Sequence, residues 1–387
     1  MGSKQYFEKQ YGGRKPGKID ASLDAMLQSV EWGEYKLGDL FEVKSNPQLD
    51  KSNFTFSEYG KYPYFTRTIY NNGILGNVDY LDEEHKIQGE CIAVGMLSMQ
   101  FFYMQKDFYA GQFTKRLIPK DFVLNPRRAQ FINSLLNKYS ELFKSVLVRD
   151  FENKFINSNI QLPVKNGSID FEFMETFIAE LEAQRIAELE AYLTAAGLKD
   201  YELTAEEEEA LNKLETVEWN EYNLKALYGS STRGKRLKSS DRIPGNLPFV
   251  TAGEADEGIS DFIGNHVHVF KKNTTTIDMF GSAKYRNYDY GGDDHVAVVH
   301  TENIPQMAAI FVTTAIHKAS HCGQFDYSRN FYAKDADALN ILLPQVNGDV
   351  DYAFMQTFIS AIQKLVIKDV VAYSDRKMAV TKQAAGM

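Results

Sequence analysis

A duplicated segment is the strongest constraint on how this 387-residue chain can fold. Residues 160–183 read IQLPVKNGSIDFEFMETFIAELEA, and residues 341–364 read ILLPQVNGDVDYAFMQTFISAIQK, 181 positions later. This period excludes a solenoid, because solenoid repeats are about 20–50 residues long. The duplication therefore predicts two copies of one globular unit, each large enough to bury a core of its own.

Two further blocks recur in the same order. Residues 27–35 (LQSVEWGEY) match residues 214–222 (LETVEWNEY) at an offset of 187. Residues 62–74 (YPYFTRTIYNNGI) align with residues 247–259 (LPFVTAGEADEGI) at an offset of 185. The drift of the offset from 187 to 181 indicates small insertions and deletions in loops. Three blocks in one order predict that the two halves share a fold.

Each copy follows the same succession of elements. Short apolar runs with Gly and Pro punctuation predict strands, as in residues 90–104 and 274–288. In the first copy a helix is predicted to start with Asn125 as its N-cap and Pro126 in its first turn. A long amphipathic helix closes each copy. The predicted fold class is α+β, with two tandem α/β domains related by a pseudo-two-fold axis.

The two closing helices carry the same apolar stripe. Apolar residues at spacings of three and four are typical of a seam against another helix. We predict that the two helices pair as an antiparallel coiled coil, which would give a spacer of about 33 Å from about 22 residues. Ordinary core packing inside each unit is the alternative. The predicted seam residues are Met174, Phe177, Ile178 and Leu181 in the first copy and Met355, Phe358, Ile359 and Ile362 in the second.

The repeat and the helix signals divide the chain into five segments. Between the copies, Thr204 and Glu207 form a capping-box pattern, which predicts a short helix in an acidic linker. The predicted segments are residues 1–26, an N-terminal extension; residues 27–168, the first globular domain; residues 169–216, a long spacer helix with the short acidic helix and linker; residues 217–349, the second globular domain; and residues 350–387, a second spacer helix with a C-terminal tail.

The distribution of charge permits a nucleic-acid partner, although the formal net charge is −9. Residues 170–221 hold 16 acidic and 3 basic residues, a local net charge of −13. The rest of the chain holds 36 acidic and 40 basic residues, a net charge of +4. The acidity is thus confined to one mainly helical segment, and the remaining surface can face phosphates.

Composition and missing motifs exclude several classes of protein. The chain has two cysteines, Cys91 and Cys322, which predicts no disulfide framework and a reducing, cytoplasmic location. No apolar run approaches about 18 residues, so no membrane span is predicted. The sequence contains no Walker A motif, no Asn-Pro-Pro-Tyr or Asp-Pro-Pro-Tyr tetrapeptide and no Phe-x-Gly-x-Gly turn. Neither ATP-driven translocation nor methyl transfer is therefore predicted for this chain.

The architecture resembles that of the specificity subunits of type I restriction-modification systems, and of related type II systems. The resemblance rests on two divergent globular units, each followed by a similar long helix, with LP..NG.(I/V)D(F/Y).FM..FI at the junction. It covers nearly the whole chain, residues 30–373. It implies a non-catalytic subunit in which each globular unit is a target recognition domain for double-stranded DNA. Two different domains would then read a bipartite, asymmetric target, with the paired helices setting the distance between half-sites.

The same resemblance implies particular partners. The helical regions of this family dock DNA adenine methyltransferase subunits, and a restriction/translocase subunit joins them in a full restriction complex. No cofactor is expected on this chain. S-adenosylmethionine, and ATP with Mg where a nuclease subunit is present, are expected on the partner subunits, in a bacterial or archaeal cytoplasm.

The candidate DNA contacts are polar, basic and aromatic residues in predicted loops, of which residues 230–242 (SSTRGKRLKSSDR) are the most basic. Arg and Lys suit guanine or phosphate, and Asn and Gln suit adenine. For each single residue, plain surface solvation is the alternative. The candidates are Arg67, Tyr70, Asn71, Asn72, Gln112, Lys115, Arg149 and Lys154 in the first domain, and Arg233, Lys235, Arg236, Lys238, Lys284, Tyr285, Arg286, Gln324, Tyr327 and Arg329 in the second.

Other functions stay open as competing interpretations. A two-domain adaptor or scaffold could bind protein or glycan without any DNA specificity. A nuclease could use the Glu-x-Lys pattern at residues 34–36 or 152–154, although this tripeptide is common by chance. The histidines of residues 265–270 (NHVHVF) predict one face of a strand and not a zinc site. Residues 291–295 (GGDDH) predict a tight turn.

Overall fold

The structure is a computed structural model that describes residues 19–145 and 148–384. The chain divides into two compact units, called here the first and the second unit, and the boundary lies between Arg185 and Ile186. This boundary falls inside a long helix, so that the predicted spacer segment of residues 169–216 is shared by the two units.

The predicted N-terminal extension does not stay separate from the first unit. Residues 1–18 lie outside the described residues. The part from Ala21 to Ser29 is helical and begins with Asp20, whose carboxylate accepts a hydrogen bond from the Leu23 backbone N–H at 2.9 Å. Leu23 is buried in the core of the first unit, which ties this helix to the globular domain.

The first unit combines short helices with three small sheets. Its helices, the last of which continues into the second unit, are α1 Ala21–Ser29, α2 Leu37–Leu40, α3 Pro126–Lys138, α4 Ser140–Lys144, α5 Phe151–Ile156 and α6 Phe171–Ala195. Its strands are β1 Glu31–Lys36, β2 Phe41–Ser45, β3 Tyr62–Phe65, β4 Ile74–Val78, β5 Cys91–Gly95, β6 Gln100–Met104, β7 Tyr109–Ala110, β8 Thr114–Pro119, β9 Asn159–Lys165 and β10 Ser168–Ile169.

The second unit has the same kinds of element in the same order. Its helices are α7 Ala205–Lys213, α8 Leu224–Tyr228, α9 Gln306–Ser320, α10 Ala333–Ala338 and α11 Tyr352–Ala384. Its strands are β11 Trp219–Asn223, β12 Thr232–Arg233, β13 Pro244–Val250, β14 Ile259–Ile263, β15 Val269–Phe270, β16 Thr274–Asp278, β17 Ala283–Arg286, β18 Tyr290–Gly292, β19 Val296–Val299, β20 Asn340–Val346 and β21 Asp349–Val350.

The sheets show that the duplication extends to topology. In the first unit the strand orders are β1-β9-β10, β2-β8-β5-β6 and β4-β3-β7. In the second unit they are β11-β20-β21, β12-β19-β16-β17 and β14-β13-β18-β15. Each unit pairs two strands in parallel at the corresponding place, β3 with β7 and β13 with β18. The structure is therefore mixed α+β, as predicted.

Asn-Gly turns explain part of the duplicated segment. Asn166 and Gly167 join β9 to β10 with φ values of 54° and 79°, and Asn347 and Gly348 join β20 to β21 with φ values of 52° and 89°. Two successive residues with positive φ are what a type I′ hairpin turn requires, and Asn-Gly is the preferred pair there. The Asn-Gly pair is therefore present in both copies because the hairpin turn requires two residues with positive φ.

The repeated aspartate starts the closing helix of each unit. The carboxylate of Asp170 accepts a hydrogen bond from the Phe173 backbone N–H at 2.8 Å, and Asp351 accepts one from Phe354 at the same distance. Each aspartate thereby satisfies a backbone donor that a helix N-terminus leaves free. The Asn-Gly turn and the capping aspartate together fix where α6 and α11 begin.

Removal of either cap is expected to destabilise its own unit. For Asp170→Ala and for Asp351→Ala we expect a loss of about 1 kcal/mol in the free energy of unfolding, because one backbone donor loses its partner. Urea titration followed by far-UV circular dichroism measures the loss. Asp349→Ala, in the exposed hairpin strand, is the matched control and should stay within about 0.5 kcal/mol of the parent chain. Equal losses for all three variants would contradict the capping role.

An aromatic contact network also recurs in both cores. Trp32 stacks on Phe131 with ring centroids 6.5 Å apart, and Phe131 meets Phe177 edge-on at 5.8 Å. In the second unit the equivalent rings are 6.2 Å and 6.0 Å apart and have the same relative orientations. The second set of rings consists of Trp219, Phe311 and Phe358. The network joins the first strand, the middle helix and the closing helix of each unit.

The predicted seam residues contribute to the cores of their own units. Met174, Phe177 and Ile178 are buried members of the first unit's core, and Leu181 packs against that core. In the second unit, Met355 is a buried core member, and Phe358 and Ile359 pack against the core. Ile362 is half-buried. The first two turns of each closing helix therefore follow the alternative interpretation, core packing within the unit.

Farther along, residues of α6 that belong to the second unit do contact α11. The Ser374 hydroxyl donates to the Glu190 carboxylate at 3.1 Å. Lys199 lies 2.7 Å from Glu190 and 2.8 Å from Asp375, and so bridges the two helices. These contacts are polar and lie beyond the eight predicted seam residues. Pairing of the two helices along that apolar stripe stays a prediction.

The short acidic helix forms where the capping box predicts it. Thr204 and Glu207 make both hydrogen bonds of the box at the start of α7. Glu207 also accepts a hydrogen bond from Ser360 at 2.6 Å and lies 3.0 Å from Lys364, both on α11. Burial opposes the charge of Glu207, but these donors outweigh it and lower the pKa of the carboxyl. In the described part of the chain, no helix has the length and apolarity of a membrane span.

Candidate nucleic-acid interface

Two equivalent loops have the same backbone in the two units. In the first unit the loop of residues 66–73 contains Asn71 and Asn72 with φ values of 46° and 53°, and in the second unit Asp256 and Glu257 have φ values of 48° and 55°. In both loops the backbone N–H of the opening threonine donates to the carbonyl of the closing glycine, at 2.7 Å in the first unit and 2.8 Å in the second. Non-glycine residues with positive φ are uncommon. Their occurrence at equivalent positions indicates that the two loops have the same backbone conformation.

The side chains on this common frame differ in charge. The first loop exposes Arg67, which lies over the Phe113 ring at 5.5 Å, and Tyr70, whose side chain is 76% exposed. Asn71 donates to the Ile74 carbonyl at 3.1 Å, whereas Asn72 is exposed at the tip. The second loop (residues 251–258, TAGEADEG) presents carboxylates at the positions of Asn71 and Asn72 and alanines at the positions of Arg67 and Tyr70. The same backbone therefore offers two different hydrogen-bonding surfaces.

The other first-unit candidates lie in three different settings. Gln112 is exposed just before β8, and Lys115 is half-buried on β8, 3.0 Å from the Ser45 hydroxyl and 3.7 Å from Glu152. Arg149 is 80% exposed and lies 3.7 Å from its neighbour Asp150. Lys154 is half-buried on α5. Of these four, Gln112 and Arg149 are the ones with freely accessible side chains.

The basic loop of residues 233–238 is an exposed positive segment of the second unit. Arg233 lies on the two-residue strand β12, and Lys235, Arg236 and Lys238 follow it in a segment without regular structure. All four side chains are exposed. Its backbone is held where Gly234 approaches Gly292 too closely to accommodate a Cβ atom. A loop with a fixed backbone and exposed cationic side chains is suited to contacts with phosphates.

Lys284 and Tyr285 are already engaged within the unit. The Lys284 ammonium is 3.0 Å from the Ser282 hydroxyl and 3.2 Å from Glu254. A hydrogen bond from Ser282, helped by Lys284 and opposed by burial, lowers the pKa of Glu254. The Tyr285 hydroxyl donates to the Asn273 amide oxygen at 2.9 Å, and burial raises the pKa of Tyr285.

The structure corrects the prediction that Arg286 contacts DNA. Its side chain is only 1% exposed. It donates to the Thr276 hydroxyl at 2.9 Å and to the Tyr288 hydroxyl at 2.9 Å, and it lies over the Tyr290 ring at 5.9 Å. A guanidinium enclosed by these groups cannot reach a groove of DNA. Arg286 instead connects β16 and β17 to the aromatic core.

The remaining second-unit candidates share one exposed loop after α9. Gln324 bonds back to this loop, because its amide donates to the Ala319 carbonyl at 3.2 Å. Tyr327 is 85% exposed and its ring packs edge-on against Phe280 with centroids 5.2 Å apart. Arg329 lies over the Phe325 ring at 5.3 Å and is exposed. Tyr327 and Arg329 are therefore accessible, whereas Gln324 has a local structural role.

Two accessible residues of the second loop escaped the sequence-based selection. Asp256 and Glu257 occupy the positions of Asn71 and Asn72 and are exposed. Carboxylates repel phosphates, although a carboxylate can accept a hydrogen bond from the N4 amine of cytosine. The alignment of residues 62–74 with residues 247–259 contained the signal that would have identified them.

The segment of residues 291–295 ends β18 and turns, as predicted. Asp294 and His295 form the turn, and the backbone N–H of Val296 donates to the Asp293 carbonyl at 3.2 Å. Among the described residues, Asp293, Asp294 and His295 form the one group close enough to hold a cation. Acidic turns of this kind are common without an ion, and this one joins two strands.

Comparison with known proteins places this architecture. Residues 29–191 match the family model described as the type I restriction modification DNA specificity domain. A curated relative, the "Type II restriction enzyme BgcI specificity subunit S.BcgI" of Heyndrickxia coagulans, is 23% identical over 349 residues, covering 88% of this chain and 97% of that protein. The first unit of this chain is thus similar to the specificity domain of type I systems, and the chain as a whole is similar to a specificity subunit. The predicted resemblance is thereby confirmed.

A solved structure extends the likeness to the fold. The S subunit of a type I restriction-modification system from M. genitalium aligns with a TM-score of 0.56 at 16% sequence identity, covering 94% of each chain. At this identity the likeness concerns the fold alone. The family model covers the first unit and the start of α6. The second unit of this chain is related to the first by the repeat described above.

Proposed function

We propose that this chain is a restriction-modification specificity subunit, that it recognises double-stranded DNA through exposed loops on both units, and that its target is bipartite and asymmetric. The observation that carries the proposal is the pair of equivalent loops, residues 66–73 and residues 251–258. They have the same backbone conformation, including two successive residues with positive φ. The first loop carries an arginine and two asparagines, whereas the second carries carboxylates. Two loops with the same backbone conformation but different side chains would prefer different base pairs.

In the first unit, the reading surface that we propose centres on Arg67, Tyr70 and Asn72. Arg67 can donate two hydrogen bonds to guanine O6 and N7, and Asn72 can pair with adenine N6 and N7. Packing of Arg67 over Phe113 lowers the entropic cost of holding the guanidinium in one place. Gln112 and Arg149 are accessible for additional contacts.

In the second unit, we propose that one set of residues positions the DNA and that another set recognises its bases. The basic loop of residues 233–238 would contact phosphates, which fix register without carrying sequence information. Asp256 and Glu257 would accept hydrogen bonds from cytosine N4 in the major groove. Tyr327 and Arg329 form a further accessible surface. The carboxylates need the basic loop nearby in the complex, because on their own they would repel DNA.

Catalysis is assigned to partner subunits. We propose that DNA adenine methyltransferase subunits dock on the helical regions, and that a restriction/translocase subunit joins in a full restriction complex. S-adenosylmethionine, and ATP with Mg, would be bound by those partners in a bacterial or archaeal cytoplasm. The absence of methyltransferase and Walker A motifs from the sequence supports this division of labour.

The closing helices are proposed to set the separation of the two half-sites as an antiparallel coiled coil. With 25 residues in α6 and 33 in α11, and a rise of about 1.5 Å per residue, these helices are about 38 Å and 50 Å long. One turn of B-DNA is about 34–36 Å, which is close to the length of α6 and shorter than α11, so we propose half-sites about one turn apart.

Selection from a random duplex library tests the whole proposal. The full chain is used together with its methyltransferase, and bound duplexes are sequenced after several rounds. We expect two short enriched blocks separated by a spacer of fixed length without base preference. One continuous enriched block would contradict the bipartite model. Enrichment of no sequence, together with binding that does not weaken as salt rises, would favour a protein- or glycan-binding adaptor instead.

A further inference from the structure

The first unit exposes several apolar side chains on and beside its proposed reading loop, residues 66–73. Ile69 and Tyr70 lie on this loop and are 56% and 76% exposed. Leu97, in the turn after β5, is 58% exposed, and Phe113, directly before β8, is 43% exposed. Single exposed apolar residues are normal on a protein surface, whereas a group of them marks a place where something binds.

The three loops that carry these residues contact one another. The Arg67 guanidinium lies over the Phe113 ring at 5.5 Å. The Met96 backbone N–H donates to the Phe113 carbonyl at 2.9 Å. A Cβ atom on Gly95 would lie 3.0 Å from the Arg67 Cα atom. The four exposed residues therefore belong to one surface of the unit. This surface is called here the apolar patch, and it consists of Ile69, Tyr70, Leu97 and Phe113.

The backbone of the reading loop is held in place. Besides the hydrogen bond that closes the loop, the Asn71 side-chain amide donates to the Ile74 carbonyl at 3.1 Å. Gly73 has a φ of 80° and lies too close to the Phe65 ring to accommodate a Cβ atom. Side chains on a loop that is already ordered lose less entropy on binding than those on a flexible one. The exposed apolar residues are thus presented in one arrangement.

The second unit carries different side chains at the equivalent positions. Its loop has Glu254 and Ala255 in place of the isoleucine and the tyrosine. Phe280, the second residue after β16, is half-buried and meets the Tyr327 ring edge-on with centroids 5.2 Å apart. His295 stands directly before β19, where the first unit has a phenylalanine. The apolar patch is therefore a property of the first unit and not of the shared fold.

The surroundings of the apolar patch indicate which part of DNA it fits. Arg67, Asn72 and Gln112 lie on the same loops, and their exposed side chains suit base edges in the major groove. Among the groups that base pairs present in this groove, the C5-methyl group of thymine is the apolar one. An apolar surface beside polar residues that read bases therefore matches thymine, because contact removes the methyl group from water.

We propose that the first unit recognises at least one thymine of its half-site through the C5-methyl group, which packs against the apolar patch. This inference rests on the proposed function, since it concerns the same reading surface. Asn72 can accept from N6 and donate to N7 of the adenine in the same base pair. Both bases of one A·T pair would then be recognised by neighbouring side chains of the first unit.

Deoxyuridine, which differs from thymidine by the missing C5-methyl group, tests the proposal on the unaltered protein. The full chain with its methyltransferase is titrated with duplexes of the selected target in which thymines are replaced one at a time. We expect about 4-fold weaker binding for each thymine whose methyl group is buried, because one such group contributes about 0.8 kcal/mol. Equal affinity for all deoxyuridine duplexes would overturn the proposal, although two enriched blocks would still support the proposed function.

Replacement of the loop residues tests whether they make the contact. In the variant Ile69→Ala with Tyr70→Ala, the 4-fold penalty for deoxyuridine should disappear at the affected thymine. Tyr59→Ala with Val123→Ala is the matched control, since these residues are 90% and 70% exposed on other segments of the first unit. This control should keep the full penalty. If the Ile69 and Tyr70 variant also keeps it, another part of the chain contacts the methyl group and the proposal is wrong.

The composition of the first half-site gives a second test that needs no variant of the apolar patch. The block that the first unit reads is identified as the one whose base preference changes in Arg67→Ala. We expect this block to contain an A·T pair. A block of G·C pairs alone would overturn the thymine inference and leave the bipartite target in place. Selection without two enriched blocks would overturn the proposed function, and the thymine inference with it.

Discussion

Simultaneous replacement of Arg233, Lys235, Arg236 and Lys238 by alanine is expected to weaken binding to duplex DNA by about 10³-fold at about 0.15 M salt. The reason is the release of counterions. If each of the four exposed side chains neutralises one phosphate, the slope of log K against log salt falls by about 3.6. Titration of a labelled duplex that contains the selected target, at several salt concentrations, measures both quantities.

The matched control for the basic loop removes the same number of charges elsewhere. Its positions are exposed lysines on helices α7, α8 and α11, namely Lys213, Lys225, Lys368 and Lys377. Alanine at these positions should leave the salt slope close to that of the parent chain. If both variants lose affinity equally, net charge and not the loop is responsible. If the basic-loop variant keeps its salt slope, the loop does not contact phosphates.

The second large effect concerns stability. We expect Met355→Ala to lower the free energy of unfolding by about 2–5 kcal/mol, since deletion of a fully buried side chain removes its transfer free energy and leaves a cavity. Met355 is 0% exposed in the core of the second unit, near the rings of Phe311 and Phe358. Urea unfolding of the Trp32→Phe chain, followed by the fluorescence of Trp219, reports on this unit.

Ile362→Ala is the informative comparison for this core prediction. Ile362 lies on the same helix and in the same predicted stripe but is only half-buried. Core packing within the unit therefore predicts a clearly smaller loss than for Met355→Ala. Equal losses at the two positions would indicate that the stripe packs along its whole length against another helix, as a coiled coil requires.

The two units illustrate which features duplication preserves. The capping aspartates, the Asn-Gly turns, the stacked aromatic rings and the loops with two residues of positive φ recur in register. Differences concentrate in exposed loops. This pattern agrees with two units that share a fold and differ in the loops that we propose contact DNA.

Sequence patterns located the helix starts well because the responsible residues are neighbours. Asn125 accepts its hydrogen bond from Arg128, three residues on, and Thr204 pairs with Glu207 over the same distance. Accessible loop residues were predicted less completely. The predicted set included Arg286, which is buried, and omitted Asp256, which is exposed. Loop residues of similar polarity cannot be separated until their surroundings are known.

The sequence by itself determined that this protein consists of two similar α+β units, and where their strands turn and their closing helices begin. Those properties depend on residues a few positions apart, whose backbone preferences act locally. Only the tertiary structure decided that Met174 and Met355 lie in the cores of their own units, that Arg286 is enclosed, and that three loops of the first unit bring exposed apolar residues to one surface. Each of these depends on side chains far apart in the chain, and burial is set by which of them the fold brings together.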